Sequence, residues 1–175
     1  TNVESENILV VDDEEAIREV VSTMLESKGY RCSVAHNGRV AQDQIKRATP
    51  DLVLSDMIMP EMDGIKLLEW MRQYDPDVPV IMVTAIHDIS TALEAIRRGA
   101  YDYILKPFEK DQLFLGVGRA LQHRRLVNEN RKYQRDLEQQ VEERTAQLTG
   151  ALEQLEQSYD DTLEALGSAL DLKDA

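Results

Sequence analysis

The stretch Asn7-Ile8-Leu9-Val10-Val11-Asp12-Asp13 decides the fold. Four consecutive branched apolar side chains, too few for a helix, stop abruptly at two carboxylates. A strand apolar on both faces belongs inside a parallel sheet covered by helices on both sides. In such sheets ligands bind just outside the carboxyl ends of the strands, where the strand order switches. The acidic pair stands at that place.

Further β-rich runs occur at Arg31 to Ala35, Asp51 to Ser55, Val78 to Val83 and Tyr101 to Leu105. Between them lie Glu14 to Lys28, Gly38 to Ala48, Gly64 to Tyr74 and His87 to Arg98, each with apolar residues three and four apart. Ile17, Val20, Val21, Met24 and Leu25 show this amphipathic helical spacing clearly. Strands alternating with helices predict βαβ units: a five-stranded, doubly wound parallel sheet of the flavodoxin-like α/β class.

The chain has 175 residues, of which about 110 would suffice for a sizeable core. Its single cysteine, Cys32, excludes an intrachain disulfide framework and Cys-rich zinc modules. Twenty bases against 33 acids give a net charge of −13, which opposes binding to phosphate backbones and anionic membranes. No apolar run approaches bilayer length, and the polar start Thr1 to Asn7 lacks the shape of a signal peptide. A cytoplasmic protein that binds neither nucleic acid nor membrane is expected.

After Phe108 the pattern changes. From Leu126 the seam positions read Leu126, Asn130, Tyr133, Leu137, Val141, Arg144, Leu148, Leu152, Leu155, Tyr159, Thr162 and Leu166, in steps of 4, 3, 4, 4, 3, 4, 4, 3, 4, 3 and 4. This is coiled-coil spacing with two inserted stutters, whose eleven-residue advances from Leu137 to Leu148 and from Val141 to Leu152 locally relax the left-handed supercoil, and it predicts a long C-terminal helix paired as a parallel homodimer. Gly150 is a candidate soft point. Ser158 can start a capping box with Asp161, so that 161–172 reads as a fresh or a continued helix. The basic cluster Arg124, Arg125, Arg131, Lys132 and Arg135 superficially suggests a DNA-binding region before a zipper. Glu129 interrupts it, and a helix face pairing with the coil's own acids is the simpler reading.

The strand ends carry the chemistry. Asp12 and Asp13 follow the first, Asp56 the third, Thr84 the fourth and Lys106 the fifth. Three crowded carboxylates repel unless a cation sits among them, and a hard ion such as Mg²⁺ suits oxygen ligands and shares its shell readily with phosphate. An aspartate there can act as a nucleophile toward phosphorus, with Lys106 and the Thr84 hydroxyl contacting the phosphoryl oxygens.

The segments Val10-Val11-Asp12-Asp13-Glu14, Ser55-Asp56-Met57-Ile58-Met59-Pro60-Glu61-Met62-Asp63-Gly64, Val83-Thr84-Ala85 and Tyr103-Ile104-Leu105-Lys106-Pro107-Phe108 together resemble a response-regulator receiver domain of two-component systems. The resemblance covers about residues 6–123. It implies that Asp56 accepts a phosphoryl group from the phosphohistidine of a sensor histidine kinase. It implies Mg²⁺ ligands at Asp13, Asp56 and the backbone carbonyl of Ile58, with Asp12 acting largely through water. It implies a cis bond between Lys106 and Pro107 and a switch pair of Thr84 and Tyr103. Ile58 and Ile86 would flank the path of the hydrolytic water, and their apolar side chains suggest a long-lived aspartyl phosphate. His36, His87 and His123 lack ligand spacing and read as surface or packing residues.

The domain reading is a receiver at 1–123, an extended signalling helix at 109–157 that overlaps the last receiver helix, and the start of a truncated output at 158–175. The last segment resembles the opening helix of HD-GYP phosphodiesterases, which implies a cyclic di-GMP phosphodiesterase output outside this chain. A non-enzymatic dimerising adaptor ending in the coil is the alternative, and a DNA-binding regulator is the least favoured.

Overall fold

The computed structural model describes residues 5–174, with the side chain of Ile86 excluded. Five strands alternate with helices: β1 (Asn7–Val11), α1 (Glu15–Glu26), β2 (Arg31–Ala35), α2 (Gly38–Arg47), β3 (Leu52–Asp56), α3 (Gly64–Tyr74), β4 (Val80–Ala85), a 3-10 turn (Ile86–Asp88), α4 (Ile89–Arg97), β5 (Asp102–Lys106) and α5 (Lys110–Lys173). All neighbouring strands pair in parallel, in the order β2-β1-β3-β4-β5. The order reverses between β1 and β3, which places the switch point beside the ends of those two strands.

The pleat sorts each strand's side chains between two cores. Leu9, Val11, Val53 and Met82 face Ala41 and Ile45 of α2, Leu67, Leu68 and Met71 of α3, and Ala95 of α4. Ile8, Val10, Leu54 and Ile81 face Val21 and Leu25 of α1 and Leu113, Val117 and Leu121 of α5. Both faces of the sheet are therefore covered, and the near-continuous apolar runs of β1, β3 and β4 follow from that.

Local chemistry sets the helix starts. Asn37 accepts from the backbone N–H of Val40 to cap α2, and Asp63 accepts from that of Lys66 to cap α3. Gly64 opens α3 against the end of β3. A Cβ there would collide with the Asp56 carbonyl oxygen and lie 2.6 Å from the Met82 methyl, so only glycine lets α3 approach so closely.

The chain divides after Val127 into two units. In the second, α5 continues without a break through Gly150 and Ser158, so 161–172 is a continued helix rather than a fresh one. Its exposed polar face carries side-chain bonds one turn apart, from Gln139 to Glu143 and from Gln157 to Asp161. Leu137, Val141, Leu148, Leu152 and Leu155 are all exposed on the single chain.

The basic cluster needs correction. Arg124 does not pair with the coil's acids: its Nε lies 3.5 Å from Oδ1 of Asp51, which precedes β3. Arg125 Nε lies 2.8 Å from Oε1 of Glu6. Both guanidinium groups are therefore engaged by acids of the first unit, which removes them from a contiguous basic region of the kind that grips phosphates.

Candidate functional site

Topology brings the ends of β1, β3, β4 and β5 to one rim. The Asp12 carboxylate is buried there. Its Oδ1 accepts from the backbone N–H of Glu14 at 2.9 Å, and its Oδ2 accepts from Lys106 Nζ at 3.1 Å. Asp12 also anchors the loop through its carbonyl oxygen, which accepts from Arg18 Nη1 at 2.7 Å. Lys106 Nζ lies 3.5 Å from Asp56 Oδ2, while Asp56 Oδ1 accepts from the Met57 N–H at 2.8 Å. One ammonium thus bridges carboxylates contributed by β1 and β3, from the end of β5. The Lys106–Pro107 bond is cis.

Asp12, Asp13 and Asp56 present carboxylate oxygens that all lie within 4.8 Å of one another. Asp13 is exposed and opens the cluster to solvent. Burial raises the Asp56 pKa above the ordinary carboxylate range; Lys106 and the Met57 N–H pull it down, but Asp12 and Asp13 push it up. Burial opposes the charge on Lys106, yet Asp56 and Asp12 outweigh it, and its pKa is raised. One lysine does not neutralise three acids, so the cluster has the charge deficit and hard oxygen donors that suit a divalent cation such as Mg²⁺.

Thr84 is buried in β4, and its hydroxyl donates a long bond of 3.5 Å to the carbonyl of Ala85. Tyr103 stands on the adjacent strand, in register with Met82, and packs half-buried against the core on the α2–α3 side. Ile58, two residues past Asp56, exposes 68 % of its surface. Of the Ile86 pair partner only the backbone is described, so its side chain lies outside the described residues. Among the described residues no histidine joins the carboxylates as a ligand: His36 is exposed, His87 sits 3.5 Å from Asp88, and His123 packs against the Tyr101 ring.

Sequence reading missed two supports. The Asn37 Nδ2 donates at 3.2 Å to Oε2 of Glu61, which holds a left-handed backbone at φ 68 in the loop after Asp56. The second is the Arg18 bond to the Asp12 carbonyl. Neither follows from spacing along the chain. Only the position of Asn37, just before a helical pattern, hinted at a special role.

A doubly wound α/β sheet with an acid–lysine cluster at its switch point defines a class of phosphate-handling signalling domains. Residues 8–117 match the family described as "Response regulator receiver domain", and the chain belongs to that family. Receiver domains accept phosphoryl groups from histidine kinases and generally use Mg²⁺ at an acidic pocket. The chain is 47 % identical over 124 residues to Regulatory protein AtoC of Escherichia coli (strain K12), covering 71 % of this chain and 27 % of that protein. It is 40 % identical over 116 residues to DNA-binding transcriptional regulator NtrC of the same strain, covering 66 % of this chain and 25 % of that protein. The receiver domain of NtrX from Brucella abortus superposes with a TM-score of 0.64 at 41 % identity, covering 66 % of this chain and 98 % of that one. The chain spans about a quarter of the length of the curated relatives it matches. These relatives are of the AtoC and NtrC type, not HD-GYP proteins, so they lend no support to a phosphodiesterase output. No described helix is long and apolar enough to cross a membrane.

Proposed function

We propose that this chain is the phosphoryl-accepting, dimerising regulatory part of a response regulator, with Asp56 as the acceptor. The observation that carries the reading is the bridge of Lys106 Nζ between Asp12 Oδ2 at 3.1 Å and Asp56 Oδ2 at 3.5 Å, inside a cluster of three carboxylates. Asp56 Oδ attacks the phosphorus of a histidine kinase's phosphohistidine. The P–N bond breaks, its electron pair returns to the imidazole, and the imidazole takes up a proton. Lys106 gives its ammonium to a phosphoryl oxygen as the acyl phosphate forms. Thr84 exchanges its long bond to Ala85 for a bond to another phosphoryl oxygen, and Tyr103 turns into the space this leaves.

Asp13, Asp56 and the Ile58 carbonyl would hold Mg²⁺, with Asp12 acting largely through water. The bound ion supplies neutralisation of the phosphoryl charge that develops in transfer. The chain's own residues orient the acceptor: the Met57 N–H fixes one Asp56 oxygen, and the carboxylate of Asp12 holds Lys106 in place.

In this reading α5 carries the phosphorylation state into a parallel coiled coil and on to an output. The 158–175 segment favours a cyclic di-GMP phosphodiesterase as that output. The name of the relative NtrC, a DNA-binding transcriptional regulator, favours a transcriptional one. The similarity to AtoC and NtrC covers 71 % or less of this chain and a quarter of each relative, so it bears on the input rather than the output. The test of the core proposal is phosphotransfer profiling against a panel of autophosphorylated histidine kinases. Rapid label transfer from one kinase to the wild-type chain, absent in Asp56→Asn, is expected. Labelling that persists in Asp56→Asn contradicts the assignment.

A further inference from the structure

The exposed apolar positions in the second unit repeat every eleven residues. Leu137, Leu148, Tyr159 and Leu170 form one series with that spacing. Val141, Leu152 and Leu163 form a second, headed by Asn130. Leu155 and Leu166 continue a third, headed by Tyr133 and Arg144. From Leu137 the combined steps are 4, 3 and 4, repeated to Leu170 without exception.

This corrects the seam at one step: the two series agree through Tyr159, and Leu163 replaces Thr162. The Thr162 hydroxyl donates at 2.9 Å to the Ser158 carbonyl of its own helix, while the neighbouring Leu163 is a half-exposed large apolar side chain. Because α5 is unbroken, the stripe continues through Leu163 and Leu170 instead of through Thr162 and the position seven residues after it, Ala169.

We infer that this stripe docks a second copy of the chain, parallel and in register, as a pair wound straight or slightly right-handed rather than as a left-handed heptad coil. The inference rests on the homodimer reading above and specifies its geometry. Eleven residues in three turns give about 3.67 residues per turn, slightly above the ideal helix, and the stripe drifts in the sense opposite to that of a heptad. An identical helix keeps pace with this repeat at every layer, whereas a heptad-patterned partner falls four residues out of phase per repeat.

Size fits the same occupant. Nine large apolar side chains between Leu137 and Leu170 are exposed along the stripe. At on the order of 100 Å² each, they offer about 900 Å² per chain, close to one side of a standard stable interface. Asn130 sets the orientation. In an antiparallel pair centred on Leu148 it would face Leu166 and bury an unpaired amide. In a parallel, in-register pair it faces its own copy, amide to amide. Arg144 has a stem long enough to lie along the seam while its guanidinium reaches water.

The test uses the full chain with Cys32→Ala and one introduced cysteine at a time, under mild oxidation. Severalfold stronger disulfide dimer from Leu163→Cys than from Thr162→Cys, and from Leu170→Cys than from Ala169→Cys, is expected. The reverse order overturns the eleven-residue seam and leaves the parallel homodimer standing. Crosslinking confined to Leu148→Cys overturns the parallel orientation. No crosslinking at any site, with a monomer in sedimentation, overturns the homodimer reading itself.

Discussion

Replacing Asp56 by Asn should stabilise the first unit when no divalent cation is present. The Asp56 carboxylate gains from Lys106 at 3.5 Å, but its oxygens also lie within 4.8 Å of those of Asp12 and Asp13. At an effective dielectric of about 20, the lysine contributes about 5 kcal/mol of attraction and Asp12 about 3.5 kcal/mol of repulsion. Exposed Asp13 adds about 1 kcal/mol of repulsion after screening, and desolvation of the partly buried charge about 2 kcal/mol more. The carboxylate is thus a net burden of about 1–3 kcal/mol, in keeping with its raised pKa. Lys106 keeps Asp12 as a partner in the variant.

At about 3–4 °C per kcal/mol, Asp56→Asn should raise the Tm by roughly 5 °C in EDTA. Trp70, the single tryptophan, lies in α3, so its fluorescence follows the first unit rather than the coil. Mg²⁺ at a hundredfold its Kd should add about 2.7 kcal/mol to the wild type. The variant, short of one ligand, should gain less, and the order of the two proteins should narrow or invert. The pH dependence has a fixed sign. A raised folded-state pKa favours the native state below the unfolded value, near 3.8, and that stability is lost as pH rises through the folded pKa. The advantage of Asn should therefore vanish in acid. A lower Tm for Asp56→Asn in EDTA at neutral pH would refute the reasoning.

Other perturbations give equally definite outcomes. Gly64→Ala should destabilise the first unit by about 2–3 kcal/mol in urea unfolding, because the new methyl group meets the Asp56 carbonyl; an unchanged midpoint would show that α3 is free to move away. Burial, with Glu26 nearby, pushes the Cys32 thiol up to about 11 from 9.0, so native Cys32 should react with thiol reagents at neutral pH roughly a hundredfold more slowly than a free thiol. Its stabilising effect is complete below the unfolded value of 9.0 and is lost as pH rises through about 11, so wild type and Cys32→Ser should converge in that window. The aspartyl phosphate should last minutes rather than seconds, and Ile58→Asn should shorten it, because an amide beside Asp56 can orient a water; a decay rate unaffected by the change removes Ile58 from that role.

The sheet was largely legible because buried parallel strands carry their own signature. β1 and β2 appear with the bounds read from sequence, and α3 does as well. β3, β4 and β5 keep their expected lengths but lie one or two residues further on, at Leu52–Asp56, Val80–Ala85 and Asp102–Lys106, since the backbone ladders start later and continue past the apolar run, as in the pairing of Ala85 with Lys106. The helix expected over His87 to Arg98 begins as a 3-10 turn and becomes α4 at Ile89. At the site, strand-end position alone brought Asp12, Asp13, Asp56 and Lys106 together. The Asn37–Glu61 and Arg124–Asp51 contacts join elements whose meeting depends on the finished topology, the Arg18 bond to Asp12 depends on how the β1–α1 turn closes, and no periodicity encodes any of them. In the coil, a single step decided the period: Thr162 fits a heptad, and Leu163 fits the eleven-residue repeat that the unbroken helix supports.

The most direct test of the central claim is the intact mass of the chain after treatment with phosphoramidate, a phosphodonor with the P–N bond of phosphohistidine. One added phosphoryl group is predicted, dependent on Mg²⁺, labile to hydroxylamine as an acyl phosphate and absent in Asp56→Asn. No added mass in the presence of Mg²⁺, or a phosphoryl group mapped to a residue other than Asp56, would contradict the account.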